Sequence, residues 1–193
     1  MNVLPYGESA VLVETDEPLA LTAALRGQDG LIELVPAART VLVRFTPGTD
    51  VRTLLAEVTA CPDAGAAGPL VELDVRYDGA DLAAVAAEAG LSAGEVIERH
   101  SSAEYVVAFC GFSPGFAYLT GLDAALHLPR LASPRTSVPP GSVAIAGEYT
   151  GVYPRSSPGG WRLLGRTDAA LWDLARPVPA LLAPGTRVRF RPC

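Results

Sequence analysis

The sequence contains no lysine: all 15 basic residues among its 193 are arginine. That absence excludes several chemistries for the chain acting alone. A Walker-type phosphate loop needs a lysine to reach the nucleotide phosphates, pyridoxal enzymes need one for the Schiff base, and biotin is carried on one. Histidine is nearly as scarce, with only His100 and His127, so no bound metal is expected on this chain. The three cysteines, Cys61, Cys110 and Cys193, have neither metal-ligand spacing nor the density of a disulfide framework, and read as buried or incidental thiols. No apolar run approaches the roughly 18 residues of a membrane span, and no basic segment leads into an apolar stretch near Met1. A soluble, cytoplasmic protein without a membrane partner is expected. The net charge of -6 argues against nucleic acid as a partner.

What is present is a 49% hydrophobic composition, enough for a real core. Apolar residues over 8–15 read as a buried strand, and Pro18 opens a helical pattern through 25 that stops at Gly27. Strand-like runs follow at 31–35 and 40–45, separated by Pro36 and two alanines. Asp50 is placed to cap a helix with Val51, Leu54, Leu55 and Val58 on one face. After a Pro/Gly/Ala loop at 61–69, Val71, Leu73, Val75 and Tyr77 alternate along a strand over 70–77. The order β-α-β-β-α-β is the split pattern of a ferredoxin-like domain, expected over residues 1–78.

Two short helices, 81–89 and 92–100, each with Asp or Ser at its cap and broken at Gly90, predict a helical linker over 79–103. From 104 to 193 short apolar runs at 105–110, 142–146, 161–164 and 187–190 alternate with Gly/Pro clusters. That texture suits a closed or strongly bent antiparallel sheet, so the fold class is α+β with a β-barrel as the second domain.

The densest chemical signal is Gly111-Phe112-Ser113-Pro114-Gly115-Phe116. It matches the letter pattern of a nucleophile elbow, yet the residue after the serine must give a backbone N–H to the oxyanion hole, and Pro114 has none. The order of His127 before Asp168 and Asp173, with Asp123 four residues from His127, also fails the triad sequence. Two readings stay open for this loop: the wall of a small-molecule pocket, or a tight structural corner. Arg130 and Arg135 lie in a proline-stiffened stretch that also reaches Ser142, and such guanidinium groups suit carboxylate or phosphate. Tyr153, Trp161 and Arg166 repeat the same chemistry, with Trp161 also readable as core and Arg166 as half of an ion pair. Glu148 and Asp168 are candidates for acid–base work if the fold brings them to a pocket, and His100 is a further possible acid or base.

Taken in order, residues 100–105, 111–118, Pro129-Arg130, Ser133-Pro134-Arg135, 138–147, 150–154 and 158–167 resemble the family of 5-oxoprolinase B subunits. The family is also known as allophanate hydrolase subunit 1 or the Kip-type sporulation-kinase inhibitors. The resemblance implies a cyclophilin-like barrel for residues 104–193. It also implies the A and C subunits of 5-oxoprolinase as partners, and ATP-dependent opening of 5-oxoproline to glutamate, with the ATP site on a partner or shared with one. By the same resemblance the substrate pocket takes Gly111, Phe112, Ser113, Pro114, Gly115 and Phe116, with Arg130, Arg135, Ser142, Tyr153, Trp161 and Arg166. Cys110 stands where an aliphatic residue is usual, a mild change. Two other readings accompany it: a protein that inhibits a histidine kinase, and half of a urea- or allophanate-type biotin-dependent carboxyltransferase whose biotin sits on another chain.

Overall fold

The computed structural model describes residues 1–59, without the side chain of Thr59, and 68–193. The part of the expected loop at 61–67, with Cys61, lies outside the described residues. The chain forms two compact units, Met1–Ala67 and Gly68–Cys193.

In the first unit the elements are β1 (Asn2–Pro5), β2 (Ala10–Glu14), α1 (Pro18–Leu25), β3 (Leu31–Pro36), β4 (Thr40–Phe45) and α2 (Val51–Thr59). The strands pair antiparallel in the order β1-β2-β4-β3. Alternation puts Val11 and Val13 of β2 opposite Val43 and Val41 of β4, and these bury against Leu21, Leu25, Val51 and Leu55 from the two helices. Asp50 caps α2 as its position predicts, accepting the Thr53 N–H at 3.2 Å and the Thr53 hydroxyl at 2.7 Å.

The strand expected to complete a ferredoxin-like sheet, 70–77, is not in this sheet. Its regular part, β5 (Leu70–Val75), belongs to the second unit and runs parallel to that unit's last strand. The edge beside β2 is taken instead by β1, which Pro5, Tyr6 and Gly7 disguise as a turn in the sequence. The physical reason is burial: Leu73 and Val75 fill the core of the second unit.

The second unit continues with α3 (Leu82–Ala89), α4 (Ala93–Ser102), β6 (Tyr105–Cys110), β7 (Ala117–Thr120), a single 3-10 turn (Ala124–Leu126) and β8 (Arg135–Val138). It ends with β9 (Ser142–Ala146), β10 (Tyr149–Val152), β11 (Ser157–Gly159), β12 (Arg162–Arg166) and β13 (Arg187–Pro192). Seven strands form one sheet in the order β12-β9-β10-β7-β6-β13-β5, while β8 and β11 pair as a separate ribbon. Just past β5, Arg76 reaches β12: its N–H bonds to the Arg166 carbonyl and the Arg166 N–H to its own carbonyl, both at 2.9 Å. The sheet is thereby a nearly closed, barrel-like wall, which removes most of its free edges.

Helices α3 and α4 are part of this compact unit. Gly90 ends α3 with a left-handed φ of 68°, and Ser92 opens α4 with a capping box to Glu95. Asp81, expected as the cap of α3, makes no capping bond. Its carboxylate turns to the barrel instead.

Candidate functional site

The loop after β6 closes on itself through three backbone bonds. Gly111 N–H bonds to the Phe116 carbonyl at 3.2 Å, Phe116 N–H to Ser113 at 3.0 Å, and Ser113 N–H to Gly111 at 2.6 Å. The last of these forms a three-residue turn centred on Phe112, whose φ of 64° is left-handed. A phenylalanine held there costs about 1–3 kcal/mol and persists only where its surroundings hold it. Gly115 has a φ of 84°, and a Cβ on it would come 2.9 Å from Trp172 Cβ, so only glycine fits. Within the loop Phe112 is 60% exposed while Phe116 is buried. Ser113 Oγ is buried and has no hydrogen-bond partner among the described residues.

Phe116 begins an aromatic cluster. Its ring meets those of Tyr118, Tyr153 and Trp161 edge-on at 5.1, 5.3 and 5.3 Å. Tyr118 in turn stacks on Phe109 at 4.3 Å and meets Tyr149 at 5.7 Å. On the outer side of this cluster lies a cleft of about 580 Å³ whose walls include Tyr118, Tyr149, Trp161, His127, Glu148 and Arg130. Removal from water and the Glu148 carboxylate beside it push the Tyr149 phenol up to about 12. Arg130 is exposed and makes no hydrogen bond or ion pair among the described residues. The cleft therefore combines aromatic walls with one guanidinium free to meet an anion.

Tyr153 links the cleft to the arginine stretch. It is buried and its hydroxyl lies against Gly159. Burial raises the phenol's pKa, opposed by the Trp161 amide and by the charges of Arg130 and Arg135. Arg135 is held by Asp81 at 2.7 Å, and Asp81 accepts the Leu163 N–H at 2.7 Å with its other oxygen.

The remaining candidates are placed elsewhere. Ser142 is buried and gives its hydroxyl proton to the Pro139 carbonyl at 2.8 Å. Arg166 pairs with Asp78 at 2.8 Å and lines a different cavity, of about 340 Å³, with Arg76 and Asp168. His127 Nε2 is 3.0 Å from the Leu122 carbonyl. His100, the possible acid or base, is fully buried between Tyr77 and Thr150, and burial drops its pKa to about 3. It is a neutral core group, with both ring nitrogens engaged. Tyr118, Tyr149 and Asp81 do not stand out in the sequence as site residues. The spacing of two residues between Phe116, just before β7, and Tyr118 within it is the available signal for the first. Among the described residues no three His, Cys, Asp or Glu side chains group as metal ligands, and no helix is long and apolar enough to cross a membrane.

Comparison with known proteins gives this geometry a family. Residues 1–182 match the family model described as carboxyltransferase domain, subdomain C and D. The chain is 42% identical to the 5-oxoprolinase B subunit of Escherichia coli O157:H7, covering 96% of this chain and 93% of that one. It is 36% identical to the 5-oxoprolinase B subunit of Haemophilus influenzae over 98% of this chain and 97% of the relative. Among solved structures, TTHA0988 superposes with a TM-score of 0.81 at 39% identity over 95% of this chain, which spans 40% of that longer protein. The urea amidolyase of K. lactis shares the fold with a TM-score of 0.71 at 20% identity, over 99% of this chain and 15% of that one. The chain thus belongs to the carboxyltransferase-domain family of subdomains C and D, among the proteins named as B subunits of 5-oxoprolinase.

Proposed function

We propose that this chain is a non-autonomous subunit of an ATP-dependent 5-oxoprolinase, opening 5-oxo-L-proline to L-glutamate together with that enzyme's A and C subunits. The observation that carries the reading is the near full-length identity to proteins named as the B subunit of that enzyme. The cleft supports it. A five-membered lactam offers flat apolar faces for Tyr118, Tyr149 and Trp161, and its carboxylate suits the unpaired Arg130 guanidinium. A lactam is an unreactive amide, so phosphorylating its oxygen with ATP makes the ring carbon electrophilic, and arginine stabilises the charge on the transferred group. With no lysine for a Walker-type loop, we assign the nucleotide site to a partner or to a surface shared with one.

The subdomain C and D description favours a second reading, half of a biotin-dependent carboxyltransferase acting on a urea-like amide. Both are tested by one experiment: glutamate release from 5-oxoproline and ATP by this chain mixed with candidate A and C partners, with each omitted in turn. Release only from the full mixture supports the first reading. An assembled complex that releases none, and instead transfers carboxyl groups from carboxybiotin, moves the assignment to the second.

A further inference from the structure

Among the described residues two buried side-chain atoms carry no hydrogen-bond partner, Ser113 Oγ and Arg135 Nη1. A buried unpaired donor is uncommon enough to require a physical reason. For Arg135 the surroundings supply one. Arg135 stands opposite Gly159 in the β8–β11 ribbon, and Gly159 is the residue against which the Tyr153 hydroxyl lies. The segment carrying Arg130 is tied to the same place, because Leu131 N–H bonds to the Gly160 carbonyl at 2.8 Å. The charges of Arg130 and Arg135 both act on this one phenol, opposing the rise in its pKa that burial causes. That phenol is buried and gives its proton to no acceptor among the described residues.

Asp81 fixes the arrangement. It is buried, and both its oxygens are engaged: one takes Arg135 Nη2 and the other the Leu163 backbone N–H, each at 2.7 Å. The Leu163 amide belongs to the barrel wall, so the carboxylate cannot swing, and Arg135 is held by one nitrogen while the other is buried and unpaired. A carboxylate at this position ordinarily caps the helix that follows it, and this one does not. Its geometry serves Arg135 instead.

We propose that Arg135 Nη1, the Tyr153 hydroxyl and the Arg130 guanidinium form a binding site for a small oxyanion, and that Asp81 is the positioning residue that holds Arg135 for it. The ligand chemistry is a carboxylate or a phosphoryl group, met by two positive charges and a neutral O–H donor. The assignment rests on the substrate-cleft reading above only for the source of that anion, either the substrate's own carboxylate or the phosphoryl group of an activated intermediate.

The test is titration calorimetry on the purified full chain with inorganic phosphate, and separately with 5-oxoproline. A single phosphate site is expected. Arg135→Met should weaken it by at least about tenfold and Asp81→Asn, which keeps an acceptor for the Leu163 amide, by about fivefold. Glu104→Gln is the control for a merely structural role, because Glu104 holds Arg187 at 3.2 Å and Arg189 at 2.7 Å without touching the proposed site. It should lower thermal stability and leave phosphate affinity unchanged. Displacement of phosphate by 5-oxoproline identifies the natural anion as the substrate carboxylate, whereas simultaneous binding of both identifies it as the phosphoryl group. Wild-type affinity in both Arg135→Met and Asp81→Asn, or no binding of either probe, overturns the proposal. Oxyanion binding without glutamate release from the assembled complex would leave this site standing and remove the 5-oxoproline reading; release without oxyanion binding would do the reverse.

Discussion

His100 Nε2 lies 2.9 Å from Thr150 Oγ1, and the Thr150 hydroxyl gives its only proton to the Ala144 carbonyl at 3.1 Å. Thr150 must therefore accept from the imidazole, which carries its proton on Nε2. The bare Nδ1 then accepts from Tyr77 Oη at 2.7 Å. The ring stacks on Phe190 at 4.7 Å, and Tyr105 gives its own proton to the His100 carbonyl at 2.7 Å. Protonating the imidazole would break this donor–acceptor arrangement at Nδ1 and place a charge in a fully buried site.

This arrangement makes stability fall in acid. The folded pKa of His100 is depressed to about 3 from an ordinary 6.5, so the folded chain stays neutral while the unfolded chain takes up a proton. The contribution is complete above about pH 6.5 and is lost progressively as pH falls from there toward 3, amounting to a few kcal/mol. Denaturant unfolding at pH 7.5 and pH 5 should show the loss in the wild type and much less of it in His100→Gln. Equal pH slopes in the two proteins would contradict the assignment.

Phe112 should respond to substitution in an unusual order. Phe112→Ala keeps the left-handed backbone and loses the ring, whereas Phe112→Gly also relieves the backbone, so the glycine variant is expected to be the more stable of the two by about 1 kcal/mol. At an ordinary loop position alanine is the more stable. Thermal melts of both variants decide it.

Gly159→Ala should cost about 2–3 kcal/mol, because the added methyl group meets the buried Tyr153 hydroxyl. Adding Tyr153→Phe should recover part of that loss, since it removes the first atom struck. A double-mutant cycle by chemical denaturation measures the coupling, and strict additivity would show that the two groups do not touch.

Arg130 and Arg166 separate the two cavities. In the assembled enzyme Arg130→Met should raise the KM for 5-oxoproline by about 10- to 100-fold with little change in melting temperature, because its guanidinium makes no hydrogen bond or ion pair among the described residues. Arg166→Met should change KM by less than about threefold, since its partner Asp78 is a surface carboxylate and its cavity is a different one. Steady-state kinetics on both variants checks the pair, and reversed effects would move the substrate to the second cavity.

The sequence is most legible where the signal is local. Strands over Tyr105–Cys110 and Ser142–Ala146, the Asp50 cap and the Ser92 cap all follow from a short apolar run or from one side chain reaching three residues on. Long-range choices are not legible. The alternation of Val71, Leu73 and Val75 announces a strand but not which sheet it joins, since either core accepts one apolar face. Asp81 reads as a helix cap because the same residue type serves both as a cap and as a distant carboxylate partner. Arg130 and Arg166 look alike in sequence, each beside Gly or Pro, and only the path of the sheet separates an unpaired guanidinium from a paired one.

The pairing of β5 with β13 also sets the order in which this protein can assemble on the ribosome. Within the sheet β5 has β13 as its one full-length neighbour, with Leu70 opposite Arg187, and its other side meets only the Arg76–Arg166 bridge. A strand made early thus waits for one made late, with its backbone groups unpaired and Leu73 and Val75 uncovered. During that interval the nascent chain presents an adhesive edge, and a chaperone or the enclosure of the exit tunnel must keep it from other chains. Once the late strand docks, the early one is paired along its full length.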